Sequence, residues 1–367
     1  MIPIILGNAP SSGSTLLASI LSRNTEIAGG SELSILDKNQ PFLATSKHYK
    51  KNIKRWIMRG HSSQYAGSLR IFSNYHKYGF SEQSIVEFCH SFSTYGEMIE
   101  QFAQSHCEKA RATYWLEKTP ANIFNFPHLM TRFPKARFIQ IVRDGRDATT
   151  SFVKRHAHPL YALARWYCST LAGQHLIGND RFLRVRYEDL VRNPIETLTA
   201  VCNFVGVQFD ERTIDPQRNE FDSLPSWSSS PHSKISKASI GTHLKNDSPA
   251  LDWTWHHIQL TPYGQNLCSH ANSPISPLEL QQTLGYSTNN IDEPPSISAA
   301  EKSRMARHIF KWHRDMLCLY KSPTQSPVTL DIWKTSPSGF LIDCFNPRTL
   351  SVPLRNRILS YPRQHGA

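Results

Sequence analysis

Ile4-Ile5-Leu6-Gly7-Asn8-Ala9-Pro10-Ser11-Ser12-Gly13-Ser14-Thr15-Leu16-Leu17 decides the reading of this chain, because an apolar run passes through a small-residue turn directly into a helical pattern. That order describes a strand–loop–helix whose backbone N–H groups converge on an anion, since Ser and Gly side chains leave them accessible. A nucleoside-triphosphate loop of the G-x-x-x-x-G-K-[ST] type is not present. Gly7 and Gly13 stand one residue too far apart, and Ser14 occupies the place of the lysine that reaches the terminal phosphates. The stretch is therefore expected to bind a phosphate other than that of ATP.

Around this element lie 367 residues, 39% of them hydrophobic, enough for one large α/β domain with an appendage. A formal net charge of +12 favours anionic partners without choosing among them. The seven cysteines form no C-x-x-C pair, and the odd count fits reduced thiols. Met1 leads directly into the first strand with no basic n-region, and no run of eighteen apolar residues follows, so a protein without a transmembrane segment, cytoplasmic in location, is expected.

The pattern predicts strands at Ile2 to Leu6, Glu26 to Gly30, Thr113 to Leu116, Arg137 to Val142 and Phe182 to Arg186, separated by helical segments. Alternation of this kind argues for an α/β fold in three layers around a central, mostly parallel sheet, with function at the carboxyl ends of its strands. Residues 45–107 read as a helical insertion. Its basic stretch from Lys47 to Trp56 is read first as a solvated helix face and second as a surface for an anionic acceptor. Residues 1–286 make up the expected principal domain, 287–300 a linker around Asp292-Glu293-Pro294-Pro295, and 301–367 a C-terminal extension.

Polar clusters follow the strands: Ser11 to Thr15, then Glu32, then Glu117-Lys118-Thr119-Pro120, then Arg143 with Ser151 and Arg155. Together they make an anion cradle holding a lone carboxylate, a costly combination unless that carboxylate works as a base. The order of motifs resembles the sulfotransferases that use 3'-phosphoadenosine 5'-phosphosulfate (PAPS), most closely the branch containing the tyrosylprotein sulfotransferases. Pro10-Ser11-Ser12-Gly13-Ser14-Thr15 is similar to the family's P-[KR]-S-G-[TS]-[TS] loop, with Ser11 in the basic position, and Glu32 falls twenty-one residues after it, at the place of the branch's catalytic Glu. Arg143 and Ser151, eight residues on, match the 3'-phosphate site, and Arg155 matches a further Arg of the branch. Tyr187-Glu188-Asp189-Leu190 resembles the family's Tyr-Glu-x-Leu segment, and Ser233-Lys234-Ile235 its late Ser-Lys-Ile segment.

The resemblance implies a P-loop-like fold and sulfuryl transfer from PAPS to a hydroxyl of a glycan, a peptide tyrosine or a small molecule. Glu32 would be general base, with Lys118 and Ser233 acting on the bridging oxygen. Ser11, Ser12, Gly13, Ser14, Thr15, Arg143, Ser151, Arg155, Tyr187 and Lys234 would hold the nucleotide. No nucleic acid is expected as a partner, and no metal either, since neither His156-x-His158 nor His256-His257 sits with Asp, Glu or Cys at ligand spacing. Two alternatives stay open: a nucleotide-binding protein of the same fold without catalysis, and a nucleotide-dependent kinase with a degenerate loop.

Overall fold

The computed structural model describes residues 1–30, 32–36, 45–51, 53, 75–155, 159–214, 235–245, 248, 251–252, 254–255, 276–288, 298 and 300. Five strands, β1 (Ile2–Asn8), β2 (Ile27–Ala28), β3 (Tyr114–Lys118), β4 (Arg137–Val142) and β5 (Phe182–Arg186), form one sheet in the order β2-β3-β1-β4-β5. Every pairing is parallel, so the expected mostly parallel sheet is wholly parallel among the described strands. β1 lies at its centre, and Ile4, Ile5 and Leu6 are fully buried, which is why that strand reads as an unbroken apolar run.

Parallel strands need crossovers, and crossovers are right-handed. The step from β1 to β2 runs one way across the sheet, while the steps from β2 to β3 and β3 to β4 run the other. Helix α1 (Ser14–Leu21) therefore covers one face, and α2 (Glu82–His90), α3 (Tyr95–Ala110) and α4 (Phe126–Arg132) cover the opposite one. The local sequence starts these helices cleanly. Thr94 and Glu97 close a reciprocal capping box on α3, which then buries Met98, Ile99, Phe102 and Ala103. Phe126 packs edge-on against Phe138 of β4 with ring centroids 5.0 Å apart.

Three strands differ from their sequence-based expectation; β1 runs past Leu6 to Asn8, because its ladder with β4 continues until Asn8 pairs with Ile141. β3 runs on to Lys118, because its ladder with β1 continues until Leu6 pairs with Lys118. β2 shrinks to two residues, because beyond Ala28 the Gly29 carbonyl accepts from His106 Nε2 of α3 at 2.8 Å. Of the basic stretch, Lys47, Lys50 and Lys51 are exposed on a helical turn while Tyr49 and Ile53 are buried, as a solvated face requires; residues 54–74 lie outside the described ones.

The chain divides into two compact units, Met1–Arg143 with Leu176–Lys237, and Asp144–His175 with Ala238–Ala367. The first contains the sheet, followed by α7 (Tyr187–Arg192) and α8 (Pro194–Val205). The second is built on α5 (Gly145–Val153), α6 (Pro159–Ala172) and α9 (Pro277–Thr283). Asp144 caps α5 by accepting from the backbone N–H groups of Arg146 and Asp147. The fully buried Asp147 carboxylate ties down the segment 241–243, accepting from Gly241 N, Thr242 Oγ1, His243 N and His243 Nδ1 at 2.7–3.1 Å. No described helix is long and apolar enough to cross a membrane.

Candidate active site

Because β1, β3, β4 and β5 are parallel, the loops after Asn8, Lys118, Val142 and Arg186 all leave the same edge of the sheet. That edge carries the first unit's predicted residues. After β1, Ser11 and Gly13 both turn left-handed, at φ 64° and 95°. The alternation folds the loop back so that α1 begins at Ser14 with no side-chain cap and no acidic residue in its first turn. Its leading N–H groups and the positive end of its dipole are left for an anion. Ser12 and Ser14 are buried with the loop, and the Ser12 hydroxyl has no partner among the described residues.

Gly13 could not be another residue. A Cβ there would strike the ring of Tyr187, the first residue of α7. The same ring carries the guanidinium of Arg143 on its face, 4.8 Å from the centroid, in cation–π geometry. Arg143 Nη1 donates to the Ser11 carbonyl at 3.0 Å. Three segments distant in sequence thus close on one turn: the loop, the end of β4, 132 residues after Ser11, and the start of α7. Ser11 lacks the charge of the family's basic loop residue, and the arginine brings one to the turn it occupies.

Glu32 follows β2, and its carboxylate meets Lys118 Nζ at 3.2 Å with both side chains largely shielded. The two residues assigned to proton removal and charge neutralisation are therefore partners. Lys118 ends β3 and projects from a turn fixed by its neighbour, the buried Glu117, whose carboxylate accepts from Thr119 Oγ1 at 2.6 Å and from Asn122 Nδ2. Asn122 Nδ2 also donates to the Leu6 carbonyl of β1 at 3.1 Å, joining this turn to the strand that feeds the anion loop. Glu117, Thr119 and Asn122 carried no assignment from the sequence beyond their place in or beside Glu-Lys-Thr-Pro, because the expected strand ends at Leu116 and Glu117 is buried only once β3 runs on to Lys118.

Ser151 lies half-buried in α5, and Arg155 stands just beyond that helix with its guanidinium 5.1 Å from the Phe152 ring centroid; both belong to the second unit. Ser233 and Lys234 lie outside the described residues, as do His156, His158, His256 and His257. Among the described residues no group of three or more His, Cys, Asp and Glu side chains is placed to hold a metal ion.

Comparison with known proteins agrees with this arrangement. A family model described as "Sulfotransferase family" matches residues 3–211, more than half of the chain. Protein-tyrosine sulfotransferase 2 of Gallus gallus is 25% identical over 222 residues, covering 58% of this chain and 53% of that protein. Protein-tyrosine sulfotransferase of Drosophila melanogaster is 25% identical over 247 residues, covering 64% and 43%. The chain thus spans about half the length of these curated relatives. Among solved structures, the sulfotransferase domain from the Synechococcus PCC 7002 olefin synthase superposes with a TM-score of 0.55 at 22% identity, covering 78% of this chain and 94% of that one, a likeness of fold that is P-loop-like in its strand–loop–helix. With the family model spanning the sheet, the anion loop and the Glu32–Lys118 pair, the chain belongs to the sulfotransferase family.

Proposed function

We propose that this protein transfers a sulfuryl group from PAPS to a hydroxyl acceptor, with residues 1–286 as the working domain. The observation that carries the reading is the Glu32–Lys118 pair at 3.2 Å beside an uncapped helix N-terminus. An anion loop alone serves many enzymes; a shielded carboxylate and ammonium paired beside it suit a reaction that removes a proton and neutralises a leaving oxygen together.

The residues present fit a phosphosulfate. The orphaned Ser12 hydroxyl and the free N–H groups of Ser14 and Thr15 offer donors for the 5'-phosphate. Arg143 supplies a planar, permanently charged guanidinium suited to bidentate phosphate binding. Ser151, Arg155, Tyr187 and Lys234 complete the proposed nucleotide set. When bound, PAPS supplies an activated sulfuryl group. Glu32 takes the acceptor's hydroxyl proton as the new S–O bond forms; Lys118, aided by Ser233, meets the charge left on the bridging oxygen as the old S–O bond breaks. Positioning and charge stabilisation carry such in-line transfers.

Titration calorimetry tests the donor half. The reading predicts tight binding of adenosine 3',5'-bisphosphate and no competition by ATP with Mg²⁺. Preference for Mg²⁺–ATP would replace it with a kinase, and bisphosphate binding without transfer to any hydroxyl would leave a binding protein.

A further inference from the structure

We propose that Thr119 is a positioning residue for Glu32, with Glu117 as the group that aims it. The inference rests on the sulfotransferase reading above, and its geometry is independent of that reading.

Thr119 precedes Pro120 at the start of a 3-10 turn (Pro120–Asn125), a position where a threonine hydroxyl ordinarily caps the following N–H groups. Here it makes no such cap. The hydroxyl instead donates to Glu117 Oε1 at 2.6 Å and accepts from the backbone N–H of Ser34 at 3.0 Å, across 85 residues of sequence. The direction is forced. The Ser34 N–H can only donate, so Thr119 Oγ1 accepts there and its own hydrogen is turned to Glu117 Oε1. Asn122 Nδ2 occupies the other carboxylate oxygen and prevents Glu117 from turning away.

Ser34 needs such a hold. Its φ of 52° is left-handed, uncommon for a residue with a side chain, and it lies two residues after Glu32. The residues beyond it are fixed as well: the Ile35 carbonyl accepts from Tyr95 OH at 2.8 Å and the Leu36 carbonyl from Asn125 Nδ2 at 2.7 Å. Of these three backbone holds, the one from Thr119 lies nearest Glu32 in sequence. Through it, the residue that follows Lys118 sets the course of the segment that carries Glu32, so the spacing of base and ammonium is fixed by backbone as well as by their own ion pair.

The test compares the full-length Thr119→Val and Thr119→Ser proteins with wild type, using radiolabelled PAPS and a panel of tyrosine peptides, phenols and glycans, with hydrogen exchange at the Ser34 amide as a second readout. Expected for Thr119→Val are a fall in kcat of at least about tenfold with KM for PAPS within about twofold, and Ser34 exchange faster by at least about tenfold; Thr119→Ser, which keeps the hydroxyl, matches wild type in both. An unchanged kcat in Thr119→Val, unaltered Ser34 exchange, or equal damage from Thr119→Ser overturns the proposal. Absence of transfer by wild type overturns the sulfotransferase reading, and the role of Thr119 in that reaction with it. The exchange data then still report whether the tether exists.

Discussion

Replacing Gly13 with alanine perturbs the anion loop at its tightest point, and the cost has two separable parts. At φ 95° an alanine incurs left-handed strain of about 1–2 kcal/mol. Its Cβ also meets the Tyr187 ring, which is buried and held by Arg143, so the overpacking adds about 1–3 kcal/mol. The sum, roughly 2–5 kcal/mol, is a sizeable share of a typical domain's stability. Gly178 provides the control within the same unit. It has a similar φ of 89°, but a Cβ there has no atom within 4 Å, so Gly178→Ala bears the strain alone. Denaturant unfolding of both variants should place Gly13→Ala below Gly178→Ala by about 1–3 kcal/mol, and calorimetry should show loss of adenosine 3',5'-bisphosphate binding only in the former. Equal destabilisation, or intact nucleotide binding by Gly13→Ala, would refute the packing of loop, Tyr187 and Arg143 described above.

Three further outcomes follow from buried groups. Burial pushes the thiols of Cys89, Cys107 and Cys202 up to about 12, 11 and 11, so peptide mapping after alkylation of the folded protein at pH 8 should find all three unmodified and, after unfolding, all three labelled. Burial lowers the pKa of His106 from 6.5, with Lys109 adding to the effect and the Gly29 hydrogen bond opposing it. The folded state therefore holds fewer protons there than the unfolded one, so its stability contribution is present above about pH 6.5 and is lost as pH falls through the lower folded value. A His106→Gln protein should show a flatter dependence of its urea midpoint on pH below that point. Asp147→Ala would orphan the four donors that hold segment 241–243, costing about 3 kcal/mol or more in equilibrium unfolding, while Asp147→Asn should cost less.

Much of the architecture was legible because it is local. Arg137–Val142 and Phe182–Arg186 stand where apolar patterning places them. The resemblance to the family's motifs, through the spacing from Ser11 to Glu32 and the Glu-Lys-Thr-Pro segment, pointed to two side chains that the fold brings to 3.2 Å. What could not be read is what joins distant segments. The left-handed turns at Ser11 and Ser34 have no residue signature, since serine occurs anywhere. The contact of Arg143 with the Ser11 carbonyl spans 132 residues, and neither partner's type predicts it. Glu117 looked like a strand's polar end, and only the Asn122 and Thr119 donors explain how a carboxylate is buried there.

In the proposed transfer, Glu32 and Lys118 act as base and charge-neutralising group at the strand ends that carry the anion loop. Steady-state transfer from radiolabelled PAPS by wild type, Glu32→Ala and Lys118→Ala tests it most directly. Expected are a kcat lower by about 10²–10⁴-fold in Glu32→Ala, a comparable loss in Lys118→Ala, and nucleotide affinity close to wild type in both. Full turnover by both variants would contradict those roles.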